Sequence, residues 1–145
     1  TLPCGRYYLA GVQIDGGGLR VRAEGRVALF IAGNVTIDGD LTVEVAPDAE
    51  LDLFVGGALN LPGLVTLGDP ARPRALRVYV ASAGTLALSG GSTIAGNLYA
   101  PAADLASSAA VEIFGAVLVN HWNLSAPAAV HYDRAIATAG DSCEP

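Results

Sequence analysis

A short apolar–aromatic–apolar run returns along this chain at nearly even intervals, and that repeat restricts the fold more than any other feature. It reads Tyr7-Tyr8-Leu9, Leu29-Phe30-Ile31, Leu53-Phe54-Val55, Val78-Tyr79-Val80 and Leu98-Tyr99-Ala100. A sixth copy, Val117-Leu118-Val119, has lost its ring. The central positions 8, 30, 54, 79, 99 and 118 lie 22, 24, 25, 20 and 19 residues apart. A unit of that length, built from short β-type runs, buries its apolar side by stacking on copies of itself, which is the logic of a solenoid.

The second copy shows how one coil is put together. Val27, Leu29 and Ile31 alternate with Ala28 and Phe30, so one set faces in and the other out. Gly33-Asn34 turns a corner, Val35 and Ile37 flank an outward Thr36, and Asp38-Gly39-Asp40 turns again before Leu41, Val43 and Val45. Three short strands per coil predict an all-β, single-domain parallel β-helix (β-solenoid) over 1–145. Its six coils are expected at about 5–25, 26–50, 51–75, 76–96, 97–115 and 116–136, with a C-terminal tail at 137–145. Gly33-Asn34 and Gly96-Asn97 are expected at similar corners of different coils. The segment from Gly68 to Arg74, with two prolines, should bulge from the ladder. Residues 132–139 are expected to form a turn or two of helix. A β-sandwich, the rival fold, would turn every 8–12 residues and alternate apolar with charged positions more cleanly.

Composition narrows the classes of function. The chain is 52% hydrophobic but only 6% aromatic and 15% charged, and no apolar run reaches the roughly 18 residues a membrane helix needs. All eight basic residues are Arg, and the net charge of −6 leaves no basic stripe for nucleic acid. Arg20, Arg22 and Arg26 cluster, but Glu24 interrupts them and a solvated strand edge accounts for them. The chain opens on Thr1, which is expected of a processed chain or an excised domain. The two cysteines, Cys4 and Cys143, stand at the margins outside every repeat. That placement predicts a disulfide and an exported, oxidising setting.

At the last three coils the chain resembles a known domain. The runs Gly96-Asn97-Leu98-Tyr99-Ala100-Pro101-Ala102-Ala103, Ile113-Phe114-Gly115-Ala116-Val117-Leu118-Val119 and Val130-His131-Tyr132-Asp133 carry the resemblance. It is to an uncharacterised bacterial β-solenoid domain at the C-terminal end of exported surface and pilus-associated (PilX-type) proteins. Residues 94–136 match well and the first half by general pattern. Leu105-Ala106-Ser107-Ser108 departs from that family's Ser-Gly-Asn corner. The resemblance implies export and a structural or adhesive role, and brings no catalytic residues. A weaker similarity is to bactofilins, cytoplasmic β-helices with shorter coils that polymerise end to end.

The aromatic positions Tyr8, Phe30, Phe54, Tyr79 and Tyr99 are the candidate interaction face. If their apolar neighbours point inward, these rings stack on one outer face. A bare stripe of that kind calls for a cover: the chain's own tail, a protein partner or a sugar. Six coils at about 4.8 Å span roughly 24 Å. Ile136 to Cys143 is seven residues, which reach about 23–25 Å fully extended. The tail is therefore long enough to join Cys143 to Cys4 along the rod, while a link from Cys143 of one rod to Cys4 of the next stays open.

Other clusters carry less. Asp38, Asp40, Glu44, Asp48, Glu50 and Asp52 match neither an EF-hand loop nor the calcium β-roll repeat. His121 and His131 lack the further ligands a metal needs, and His131-Tyr132-Asp133 is expected to cap the last coil. Asp15, Asp38, Asp69 and Asp104 fall at different points of their coils, and no serine has a histidine in register. No enzyme, cofactor or metal site is expected. The expected function is an exported, cell-surface structural or display module, self-associating into filaments or arrays; an adhesin-like module binding glycan or protein is the alternative.

Overall fold

The computed structural model describes residues 1–89 and 91–135, almost entirely as parallel β-strands wound into a solenoid of about five turns. The first coil holds β1 (Gly5–Leu9), β2 (Val12–Ile14) and β3 (Leu19–Ala23). The second holds β4 (Arg26–Ile31), β5 (Val35–Ile37) and β6 (Leu41–Val45), and the third β7 (Glu50–Val55), β8 (Leu59–Asn60) and β9 (Val65–Leu67). Then come β10 (Leu76–Val80), β11 (Gly84–Leu88), β12 (Thr93–Ser107), β13 (Val111–Leu124) and β14 (Ala128–His131). One continuous sheet runs β1-β4-β7-β10-β12-β9-β6-β3, and a small sheet β2-β5-β8 closes another side.

The expected pattern of six coils with three short strands each is not matched in detail, because β12 and β13 are long. Each runs on through two corners, so β12 continues the face of β9 at Thr93 and Ile94, that of β10 from Asn97 to Tyr99 and that of β11 from Ala103 to Ser107, and β13 follows it. Gly96-Asn97 lies within β12 and pairs with Gly115-Ala116, whereas Gly33-Asn34 lies in the turn between β4 and β5 and stacks on Ala10 and Gly57. The two pairs therefore occupy different corners, contrary to expectation. The corner of Leu105-Ala106-Ser107-Ser108 is built by Ser107, whose hydroxyl donates to Ala109 O at 2.7 Å, with Leu88 O 3.2 Å from the same oxygen.

The inward rows are as the alternation predicts. Val27, Leu51, Leu76 and Val78 are buried, as are Val35, Ile37, Val43, Val65, Ile94 and Ile113 on the other faces. Where the backbone turns and cannot ladder, side chains join successive coils. Asn34 Oδ1 accepts from Ala58 N and Asp40 Oδ1 from Leu64 N, both at 2.9 Å. Buried Ser92 accepts from Val65 N at 3.1 Å. These bonds keep polar backbone satisfied inside tight corners.

The segment after β9 does bulge, but it is pinned. Asp69 Oδ1 accepts from Ala71 N, and Pro73–Ala75 makes one 3-10 turn that packs on β12. Arg72 reaches back to the carbonyls of Val45 at 2.9 Å and Ala46 at 3.1 Å, and also to Pro47 O. Its Nε pairs with Asp69 at 3.3 Å. The arginines of β3 pair with Glu44, Arg20 at 3.6 Å and Arg22 at 3.4 Å.

Candidate functional site

The strand register sets the aromatic positions in one line. Tyr8 pairs with Phe30, Phe30 with Phe54, Phe54 with Tyr79, Tyr79 with Tyr99 and Tyr99 with Leu118. Because neighbours in that row point the same way, the rings project outward from a single face. Phe30 and Phe54 stack with centroids 4.6 Å apart and planes 5° from parallel. Phe54 and Tyr79 stack at 4.8 Å and 9°, while Tyr79 and Tyr99 tilt to 55° at 6.3 Å. The spacing is the strand spacing, so the rings inherit their geometry from the backbone ladder.

This geometry has a chemical consequence. The three stacked rings turn their faces to each other and their edges to solvent. Beside them runs a groove of about 430 Å³, floored by Ala32, Gly56 and Ala81 and closed by Pro101 beyond Tyr99. Tyr8 at one end is 73% exposed and Tyr99 at the other 47%, against 39% for Phe30 between them. The sequence signal for the floor is plain once the register is known: the residue two after each ring is Ala10, Ala32, Gly56, Ala81 or Pro101. Small side chains there let the groove run along the rod.

Cys4 is exposed just before β1, packed against Gly25, and has no disulfide partner among the described residues. Cys143, Ile136, Ala137 and the proposed tail clasp lie outside the described residues, as does the second half, 136–139, of the expected helical turn at 132–139. His131 lies at the end of β14, in register with Phe114. It stacks on Phe114 at 4.4 Å and 12°, and Asp133 accepts from Ala135 N at 2.9 Å.

Two polar clusters stand apart from the groove. Arg77, on the outward row of β10, is 6% exposed. Its Nε and Nη2 bind Asp52, the latter at 3.2 Å, and Nη2 also binds Glu50 at 2.8 Å, leaving Nη1 buried without a partner. Hydrogen bonding to Asp52, outweighing burial, holds the guanidinium pKa above its already high ordinary value. The sequence signal is Asp52 and Arg77 one repeat apart on outward sites. The second cluster is Asp104, whose Oδ1 lies 3.0 Å from both His121 Nδ1 and Asn120 Nδ2. Hydrogen bonding from His121 first, then Asn120, holds its carboxyl below the usual range.

A depressed carboxylate contributes stability above its ordinary pKa and loses it as pH falls through the lowered value. Asp104→Asn is thus expected to melt slightly below the unmodified chain at neutral pH. The two melting curves should converge in acid, as measured by thermal melts across the pH range. A gap that widens in acid would contradict the assignment.

Among the described residues no group of three or more His, Cys, Asp or Glu is arranged to hold a metal, and no helix is long and apolar enough to cross a membrane. A family profile described as a domain of unknown function (DUF7305) matches residues 1–139. No curated protein and no solved structure matches the chain.

Proposed function

The chain belongs to the DUF7305 family, and from that premise we propose that it is an exported bacterial cell-surface module. It serves as a structural or display rod that self-associates into filaments or arrays, in the setting of pilus-associated proteins that its last coils resemble. The observation that supports this most is the unbroken parallel pairing from β1 to β14, a dry stack of Val, Leu and Ile rows that stiffens one axis. The work of such a module is mechanical and non-enzymatic: it holds its lateral faces at fixed spacing. The test is fractionation of the bacterial source with antibody against the chain. Recovery on the cell surface or in the extracellular fraction is expected; recovery in the cytoplasm would overturn the reading.

A second reading is an adhesin-like module that uses the groove beside Tyr8, Phe30, Phe54, Tyr79 and Tyr99. The ring geometry favours protein over glycan as its partner. Sugars stack on aromatic faces, and those of Phe30, Phe54 and Tyr79 are turned to one another. Protein side chains can fill an apolar groove against ring edges. Binding of apolar peptides that Ala32→Arg abolishes would support this reading, and binding to a glycan array with the same sensitivity would redirect it.

A further inference from the structure

We infer that two copies of this chain pair side by side and parallel, each row of rings seated in the groove of the other. This rests on the self-association part of the reading above and names the face and the direction of the contact.

Ridge and groove are neighbours on one face. Phe30, Phe54 and Tyr79 rise from it, and two residues further along the chain the exposed Ala32, Gly56 and Ala81 floor the groove. Two residues of extended backbone set the two rows about 6.7 Å apart. A half turn about an axis parallel to the rod, passing between the rows, exchanges them. Each ridge then faces the other copy's groove, and both rods keep the same direction. A half turn about an axis across the rod would set ridge against ridge instead. The closed pair that fits this face therefore has one direction.

The repeat favours a second copy over other occupants. The ring centroids step by 4.6 Å and 4.8 Å, then by 6.3 Å between Tyr79 and Tyr99. In a parallel pair at equal height each ring meets the floor residue of its own coil, so an uneven step meets the same uneven step. A helix or an extended strand has one pitch and falls out of step. The small residues follow the rings in the same way. Gly56, which has no side chain, faces the closely stacked Phe54, and the bulkier Pro101 faces Tyr99, whose ring is tilted by 55° from Tyr79.

Polarity and charge agree with this occupant. The backbone of the floor is already used in the ladder: Ala32 N–H bonds Leu9 O at 2.9 Å, Gly56 N–H bonds Ile31 O at 2.8 Å and Ala81 N–H bonds Val55 O at 2.9 Å. An extended peptide lying there would bury backbone groups without partners, whereas a row of rings brings none. On the row that flanks the rings, Arg77 binds Asp52, and Arg6 remains as the further cation. The half turn carries the two copies of Arg6 to opposite flanks, about 20 Å apart and beyond the screening length of physiological salt. The centre of the contact is left without charge, as the core of a protein interface is.

The test uses the whole chain in reductant, so that no disulfide through Cys4 or Cys143 contributes. The face is one strand wide, small for a stable pair, so sedimentation is followed from about 1 to 100 μM. The unmodified chain should gain mass across that range. Ala32→Arg sets a cation in the floor and should raise the dissociation constant roughly tenfold or more. Ala87→Arg, the same change at an exposed site of β11, should leave it unaltered. Ala32→Glu alone should also fail to pair. An equimolar mixture of Ala32→Arg and Ala32→Glu should recover pairing, because the half turn brings the two positions 32 to the same height. Ala32→Arg mixed with Ala81→Glu should not. Circular dichroism matching the unmodified chain establishes that the variants fold, and the same pair of changes at Ala81 replaces those at Ala32 if they do not. Association that survives Ala32→Arg, or that Ala87→Arg weakens equally, overturns this face and leaves self-association standing. Recovery with Ala81→Glu, or with neither partner, overturns the parallel pair. An unmodified chain that stays single throughout overturns the inference and the self-association reading together.

Discussion

Gly68→Ala is expected to lower stability by about 4 kcal/mol, and the melting temperature by roughly 12–16 °C. Two effects add at this position. Gly68 has φ +73, a conformation that costs an alanine about 1 kcal/mol or more. A Cβ built there would also lie 2.0 Å from Ala95 O, which is backbone of β12 and cannot rotate aside. Gly16 separates the two effects, because it has φ +70 but nothing within 4 Å of the added carbon. Gly16→Ala should therefore cost about 1 kcal/mol, the conformational part alone. Chemical denaturation of both variants decides it: equal losses would mean that coil-to-coil contact at Gly68 contributes nothing.

Arg77→Met is expected to cost about 3 kcal/mol, again by denaturation. Removing the guanidinium leaves Asp52, a quarter exposed, and Glu50 adjacent with no counter-charge. Their partial exposure keeps the loss at the low end for a broken buried pair. Arg77→Lys should recover little, because one ammonium cannot reach two Asp52 oxygens and Glu50 as the planar fork does. Adding Asp52→Leu to Arg77→Met should restore most of the loss. The unsatisfied Nη1 means that the native cluster already carries a cost an apolar pair would not. If the double variant is as unstable as Arg77→Met, repulsion at Asp52 is not the cause.

The sequence was most legible where period and chemistry agreed. Val27, Leu29 and Ile31 announced their burial, and Phe30, Phe54 and Tyr79 their stacking, because a two-residue alternation inside a constant repeat allows one register. Corners were harder to read. Gly96-Asn97 resembled Gly33-Asn34 as letters, but Gly96 is a point of close approach within β12, its added Cβ only 2.8 Å from Leu76 O. Glycine serves both purposes, and local sequence does not separate them. Arg77 was illegible for another reason. Its burial goes with Asp52 and Glu50 one coil away, and an alternation that marks position 77 as outward does not encode burial there.

The pinned insertion bears on how such a chain can vary. Differences in repeat length have to be absorbed somewhere, and here the residues between Leu67 and Leu76 take them up without shifting a rung of the ladder. Arg72 anchors this excursion to the preceding coil, while Pro70 and Ala71 at its tip are exposed. Sequence could lengthen or diverge between those two residues while the rod beneath stayed as it is. One corner of a rigid scaffold is thus free to carry whatever distinguishes one relative from the next.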